Sequence, residues 1–343
     1  MSRRRPAPPP AIEEVARIAE RLAVLLSAGV SPVSAWDYLV PAEAGVDARP
    51  ERGRRHSAGR PRGVASGTDQ STRLLLLAAA RAAHAGDSVA DAIAEAAPDT
   101  GQLGDAWRAL AAAWDVATQA GAPLSGCLRD LAGAFRDLGQ LHRDLTVALT
   151  GPRATARMVL VLPLVALLFG ALLGFNTLHT LLFTGPGLAC LAAGSLLMLA
   201  AARWNRRLVA AALVQGAAPG LELDLTAIGM AGGGSLDRAR DTARRSAERY
   251  GLRPPGSAST PGDAVIDRVL DLSARAGVPA GQLLRSEADQ ARRDARSAGH
   301  QRAETLAVTL MLPLGVCVLP AFMLVGVAPL LLSVLTATLG GIS

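Results

Sequence analysis

Aromatic residues supply only 3% of this 343-residue chain, although 50% of it is hydrophobic. Sheet cores draw heavily on aromatic and β-branched side chains, so the shortage argues against a β-rich fold. Cysteine is also scarce. Cys127, Cys190 and Cys317 stand too far apart for a metal or redox spacing, and each lies in an apolar stretch, where it reads as a small buried hydrophobe. The histidines His56, His84, His142, His179 and His300 form no pair at ligand spacing. A glycine-rich stretch, AGGGSLDRARD from Ala231, lacks the Gly-Lys-Ser/Thr ending of a nucleotide loop. It reads instead as a helix start, with Ser235 as cap and Asp237 at the positive end of the dipole. No nucleophile, base and acid converge, so the expectation is no enzyme, no cofactor and no metal. The opening MSRRRPAPPP has no long apolar stretch after its charges and reads as an exposed, extended tail rather than a cleavable signal.

Charge is missing from three long apolar runs. Met158 to Phe175 and Gly187 to Ala202 carry none, and Leu306 to the chain end carries none either, though Pro313, Pro320 and Pro329 interrupt that block. A helix crosses the hydrocarbon core with about 20 apolar residues. The first two runs therefore predict a helical hairpin, and the third predicts one span over Leu306 to Val325 with an apolar remainder. Ionisable groups inside spans mark transport paths, and their absence here weighs against a transporter or channel component. Gly170 and Gly174 form a small-xxx-small pair that allows close helix packing. Arg153 and Arg157 precede the first run; Arg203, Arg206 and Arg207 follow the second. Arginine-rich loops stay on the cytoplasmic side, which places both polar portions in the cytoplasm and the loop near His179 outside, together with the C-terminus.

The net charge of +6 is partly local: six arginines and one acid, Glu51, fall between Arg49 and Arg62. Arginines near a membrane gain from anionic lipid, and the same composition also suits an exposed loop. The run has no interleaved aromatics to stack bases, so nucleic acid is not an expected partner.

Alanine and leucine dominate, and both favour helix. Three stretches repeat one plan: ERLAVLLSAGVSPVSAWDYL from Glu20, AAWDVATQAGAPLSGCLRDLA from Ala112, and RVLDLSARAGVPAGQLLRSEA from Arg268. Each is a helix ending in Ala-Gly, a short link with proline, and a second helix. Gly29, Gly121 and Gly277 suit the left-handed closure of a helix. Pro32, Pro123 and Pro279 suit the first turn of the next, where a missing donor costs nothing. Beyond the middle corner, Leu131, Phe135, Leu138, Leu141, Leu145 and Leu149 form one apolar stripe. Arg129, Arg136, Arg143, Arg292 and Arg296 fall on polar faces near the membrane. GLRPPGSASTPGD, residues 251 to 263, reads as a flexible turn.

These readings give an all-α integral membrane protein with two cytoplasmic helical bundles and about three spans. The divisions are a tail (1–13), a first bundle (14–156) with a basic loop (45–70), a transmembrane hairpin (157–203), a second bundle (204–303) and a C-terminal membrane segment (304–343). The order of the corners LLSAGVSP, ATQAGAPLSGCLRDLA and SARAGVPAGQLL relative to TGPRATARMVLVLPLVALLFG and ETLAVTLMLPLGVCVLPAFMLVGVAPLL resembles the type II secretion system F family. Within it, the resemblance is to the Flp-pilus (tight adherence) B/C-type membrane proteins of actinobacteria, and it covers residues 14 to 335.

That resemblance implies a plasma-membrane platform, homo- or hetero-oligomeric, that couples a hexameric secretion ATPase to pilin or pseudopilin insertion or protein export beside a paralogous platform protein. The polar-face arginines then become possible ATPase or partner contacts. Acids that often flank the corner in better-known members are absent here, where Gln119 and Ala120 precede Gly121, so no acidic contact is carried over. A membrane-anchored adaptor is the other reading of the same architecture. As a test of topology, a probe near residue 180 should label from outside intact cells, while probes near residues 60 and 250 should not. Labelling of the latter two in sealed cells would reject the arrangement.

Overall fold

The computed structural model describes residues 11–40, 67–99, 101–148, 185–213, 219–257, 260–309 and 314–328, with a few single positions beside them. Every element among the described residues is helical. The predicted first span lies outside them except for Val161, Val165 and Leu168, which are helical and exposed. Gly170, Gly174 and the Arg49 to Arg62 loop also lie outside. The chain divides into two compact units, residues 1–142 with 216–295, and residues 143–215 with 296–343.

The first unit starts with α1 (Ala11–Ser27). Ile12, Val15, Ala16, Ile18, Ala19, Leu22 and Ala23 are buried along one stripe, while Arg17, Glu20 and Arg21 are exposed. Gly29 closes the helix at φ 85°. Ser31 then caps α2 (Pro32–Leu39), accepting a hydrogen bond from the Ser34 amide at 3.2 Å. Next come α3 (Gly67–Ala85), α4 (Val89–Ala96), α5 (Gln102–Ala120) and α6 (Leu124–Ala148). The corner between α3 and α4 has the same chemistry, with Gly86 at φ 77° and Ser88 as cap.

Helix α5 is the axis of this unit. Six consecutive residues, Ala109 to Trp114, are buried, so the helix is covered on all sides. Alanine permits this because its short side chain lets neighbouring backbones come close, and it costs little in a helix. Trp36 packs on Trp114 with ring centroids 5.3 Å apart. Gly121 ends α5 at φ 67°, ψ 25°, and its amide returns to the carbonyls of Ala117 and Thr118. Pro123 differs from Pro32 in position. With one linker residue fewer, it precedes its helix, and its carbonyl accepts from the amides of Gly126 and Cys127. Pro279 does the same before its own helix, following Gly277 at φ 67°. On α6, Leu131, Phe135 and Leu141 are buried and Leu138 packs against the core.

The second polar portion supplies α8 (Leu221–Ala231), α9 (Leu236–Arg249), α10 (Pro261–Ala276) and the first part of α11 (Ala280–Thr309). The element between, α7, belongs to the other unit and is described below. One continuous core joins Leu221, Leu225, Ile228, Ala243, Ala247 and Tyr250 to residues of α1 through α6. Helices from both sequence portions thus share an interior, with α8 and α9 packed on α5. Glycine and alanine set the spacing: a Cβ at Gly232 would lie 1.7 Å from the Ala120 carbonyl oxygen, and one at Gly229 would lie 3.0 Å from Ala239 Cα.

The second unit contains α7 (Gly185–Leu213) and a helical segment of π- and α-type turns, Leu314–Val327. Wider turns lie just before Pro320, where the ring would otherwise meet the carbonyl four residues back. Gly194 of α7 faces Val325 and Ala321, and Ala201 packs with Cys317 and Met198. Among the described residues one helix is long and apolar enough to cross a membrane, over Gly187–Leu208 with mean hydropathy 1.5; Gly315–Val325 is a shorter apolar stretch.

Gly232→Ala should lower stability by about 1–3 kcal/mol through overpacking, and Gly121→Val by about 1–2 kcal/mol through left-handed strain. Chemical unfolding of the solubilised chain reads both. A parent-like midpoint for Gly232→Ala would reject the close helix approach.

Candidate functional site

The densest polar structure lies where α8, α9 and α10 meet, around a buried arginine in the segment read from sequence as a flexible turn. The Arg253 side chain is 3% exposed. Its guanidinium donates to Asp263 Oδ2 at 2.9 Å, to the Ser257 carbonyl at 2.9 Å, and to Glu222 Oε1 at 3.5 Å. Its Nε has no partner among the described residues. Thr260 completes the junction. Its hydroxyl lies 2.6 Å from Glu222 Oε2, it caps α10 by accepting from the Asp263 amide, and Asp263 Oδ2 accepts from the Thr260 amide at 2.7 Å. Far from hanging free, the described part of the turn is tied to two helices, and to its own Ser257 carbonyl, by one side chain.

Arg240 extends the network, donating to Asp267 at 2.6 Å and to Asp263 at 3.4 Å. Burial alone would raise the Asp263 pKa. Hydrogen bonds from Arg253 and from the Thr260 amide outweigh it and hold the carboxyl down at about 2. A groove of about 660 Å³ opens beside these groups, lined by Asp237, Arg240, Asp241 and Arg244 of α9 and by Asp263 and Asp267 of α10. Its arginines are already engaged: Arg240 and Arg253 as above, and Arg244 with Asp241 at 3.2 Å. The arrangement fixes helix spacing, since Arg240 and Arg253 are held by acids of neighbouring elements. Among the described residues no group of histidine, cysteine and acidic side chains is placed to hold a metal.

Two further polar ties join the sequence portions. Ser246 Oγ donates to Asp115 at 2.5 Å, and Tyr250 and Arg249 donate to the two oxygens of Asp91 at 3.0 and 2.8 Å. Burial, with Asp115 and Asp91 nearby, pushes the Tyr250 phenol above its ordinary range. Across the unit, Asp224 of α8 accepts from Arg292 of α11 at 2.6 Å, with both side chains about one-tenth exposed. Burial pushes Asp224 up to about 6 against the pull of Arg292.

That pair corrects the surface assignment of Arg292, whose guanidinium is enclosed and engaged with Asp224 and Asp289. Arg296 is paired with Asp144 at 3.2 Å and is 40% exposed. Arg129 and Arg143 are exposed. Arg136 is half-exposed and bonds Glu20 at 2.9 Å. The five arginines therefore do not form one set. Histidine plays a local part: His84 lies 2.7 Å from Asp37, and His300 lies 3.8 Å from Asp144. Burial raises the Cys127 thiol to about 11, with Arg285 pulling the other way, so it stays protonated.

Reading by sequence missed both Arg253 and the Thr260 cap because the prolines and glycines around them signal a loop. No protein family, no curated protein and no solved structure matches this chain.

Arg253→Met should cost about 3–5 kcal/mol, because it leaves Asp263 and Glu222 facing a buried gap without their cation. The acid dependence follows from Asp263. Its folded pKa of about 2 is below the ordinary value of about 3.9, so its stabilisation is full above that value and fades as pH falls through about 2. Asp263→Asn should flatten this decline in a pH series of unfolding midpoints. An unchanged slope would reject the assignment.

Proposed function

We propose that the chain is a membrane platform protein of the type II secretion F kind, at home in the plasma membrane of a Flp-pilus or related secretion machine. In this role it couples a cytoplasmic ATPase to insertion of pilin or pseudopilin subunits. The observation that carries the membrane part is the inverted packing of the second unit. Small residues, Gly194, Ala201 and Ala321, lie at the helix contact, while Leu188, Leu196, Leu199, Val316, Leu319 and Met323 are each at least 50% exposed. Water penalises that surface, whereas lipid tails accept it and favour close contact of small residues.

Support for the secretion part comes from the corner sequences and their order along the chain. The left-handed glycines at 29, 121 and 277 give a physical reason for the shared spelling of those corners. An all-helical unit whose buried ionic groups are paired within it suits a rigid coupling body. Arg129, Arg136 and Arg143, which are exposed, are the proposed docking points for the ATPase.

Charge reversal of these three should lower recovery of the neighbouring ATPase several-fold in co-purification from detergent, and more so at low salt, as expected for rim charges. Unchanged recovery would reject these contacts. Solute flux through vesicles containing this chain alone would replace the platform reading with a transporter.

A further inference from the structure

The exposed side of α7 changes character over one turn. At about 3.6 residues per turn, Leu196, Leu199, Arg203, Arg206 and Arg207 fall on one side of the helix. Gly187, Gly194 and Ala201 fall on the other, where the helix packs. Leu196 and Leu199 are 71% and 66% exposed, and all three arginines are exposed as well. Trp204 stands at the same level, 42% exposed. The face that would meet lipid tails therefore ends in three guanidinium groups rather than turning towards the packed side.

No acid lies near them in the sequence. Residues 145 to 221 contain no Asp or Glu, yet they hold Arg153, Arg157, Arg203, Arg206 and Arg207. Among the described residues none of Arg203, Arg206 and Arg207 makes an ion pair, in contrast to the internally paired arginines of the other unit. The chain has no lysine, so all its strong positive charge is guanidinium, which binds phosphate oxygens in pairs where an ammonium acts as a point charge. Geometry fits as well. Gly187 to Ala202 rises about 24 Å, slightly short of a hydrocarbon core of roughly 30 Å. An arginine stem lying along the apolar surface carries its head the remaining distance to the phosphate level, and tryptophan favours that interface.

From this we infer that Arg203, Arg206 and Arg207 form a binding site for the headgroups of anionic phospholipids, on the lipid-facing side of α7. The site rests on the membrane reading of the second unit and adds a lipid requirement to it. It explains why the cationic residues continue the apolar face, a placement that a free anion in water does not require.

The test uses the purified full chain in phosphatidylcholine vesicles with and without phosphatidylglycerol. Flotation reads insertion, and native mass spectrometry of protein released from the vesicles reads retained lipid. Phosphatidylglycerol should be enriched on the protein, and enrichment should fall about fivefold for each arginine changed to glutamine, the equivalent of about 1 kcal/mol per charge. Triple replacement by lysine should preserve part of it, and R238Q, on an exposed arginine of the other unit, should leave it unchanged. Inorganic phosphate should not displace the lipid. Equal enrichment in the triple glutamine variant, or displacement by phosphate alone, would overturn the site while leaving insertion intact. Failure of the parent chain to float with either vesicle would overturn the membrane reading itself, and the site with it.

Discussion

The close approach of α5 to α8 and α9 is the constraint on which the first unit depends. These helices come from portions separated by an apolar stretch in the sequence, and they share one interior because small residues at their closest points let the larger side chains around them meet. Ala109 to Ala113 on α5, Gly229 and Gly232 at the end of α8, and Ala239, Ala243 and Ala247 on α9 keep the backbones near one another. This core relies on dense contact where the backbones meet most closely, while Trp36, Trp107 and Phe135 fill the space around. It also tolerates errors poorly, since one added methyl at Gly232 would meet a carbonyl oxygen that belongs to the helix axis.

Smooth alanine surfaces have a weakness, because they can slide. The polar ties address it. Ser246 on Asp115, Tyr250 and Arg249 on Asp91, and Arg292 on Asp224 each join elements far apart in sequence and have one geometry in which donors and acceptors meet. Buried ion pairs add little net stability compared with apolar packing, and their best-attested role is to select one register. The Arg253 junction fits this role most clearly. It gathers a loop carbonyl, two carboxylates and a helix cap at one guanidinium, so a shift of α10 along α8 would leave several groups without partners at once.

Much of the local architecture was legible because it follows from single residues. Gly121 and Gly277 close helices by their freedom at positive φ, and Ser31 and Ser235 cap by a hydroxyl placed three residues before an amide. The stripe through Leu131, Phe135 and Leu141 appears as burial because its period matches the helix. What escaped was pairing at long range. Arg292 reads as one of several surface arginines on α11, and nothing in its spacing announces that Asp224, in a different helix, removes it from solvent. Arg253 is hidden for the same reason. Likewise the small residues that meet in the second unit, Gly194 with Ala321, lie in two apolar runs whose facing sides cannot be assigned until both helices are placed.

The two units turn the same residue types in opposite directions. In the first, alanine, glycine and leucine turn inward and arginine is either paired or at the surface. In the second, glycine and alanine still mark the helix contact, but leucine and valine turn outward. Leu188, Leu196, Leu199, Val316, Leu319 and Met323 are exposed, and the contact between the described helices is made by small residues with Met198 and Val325 beside them. Close contact of small residues is the packing expected of the membrane platform proposed above. The arginines that end the outward face of α7 are exposed and unpaired by any described acid, in keeping with the anionic-lipid site inferred above. The exposed leucines and the arginines that follow them thus form one continuous face of α7, and the membrane platform proposed above takes both into account.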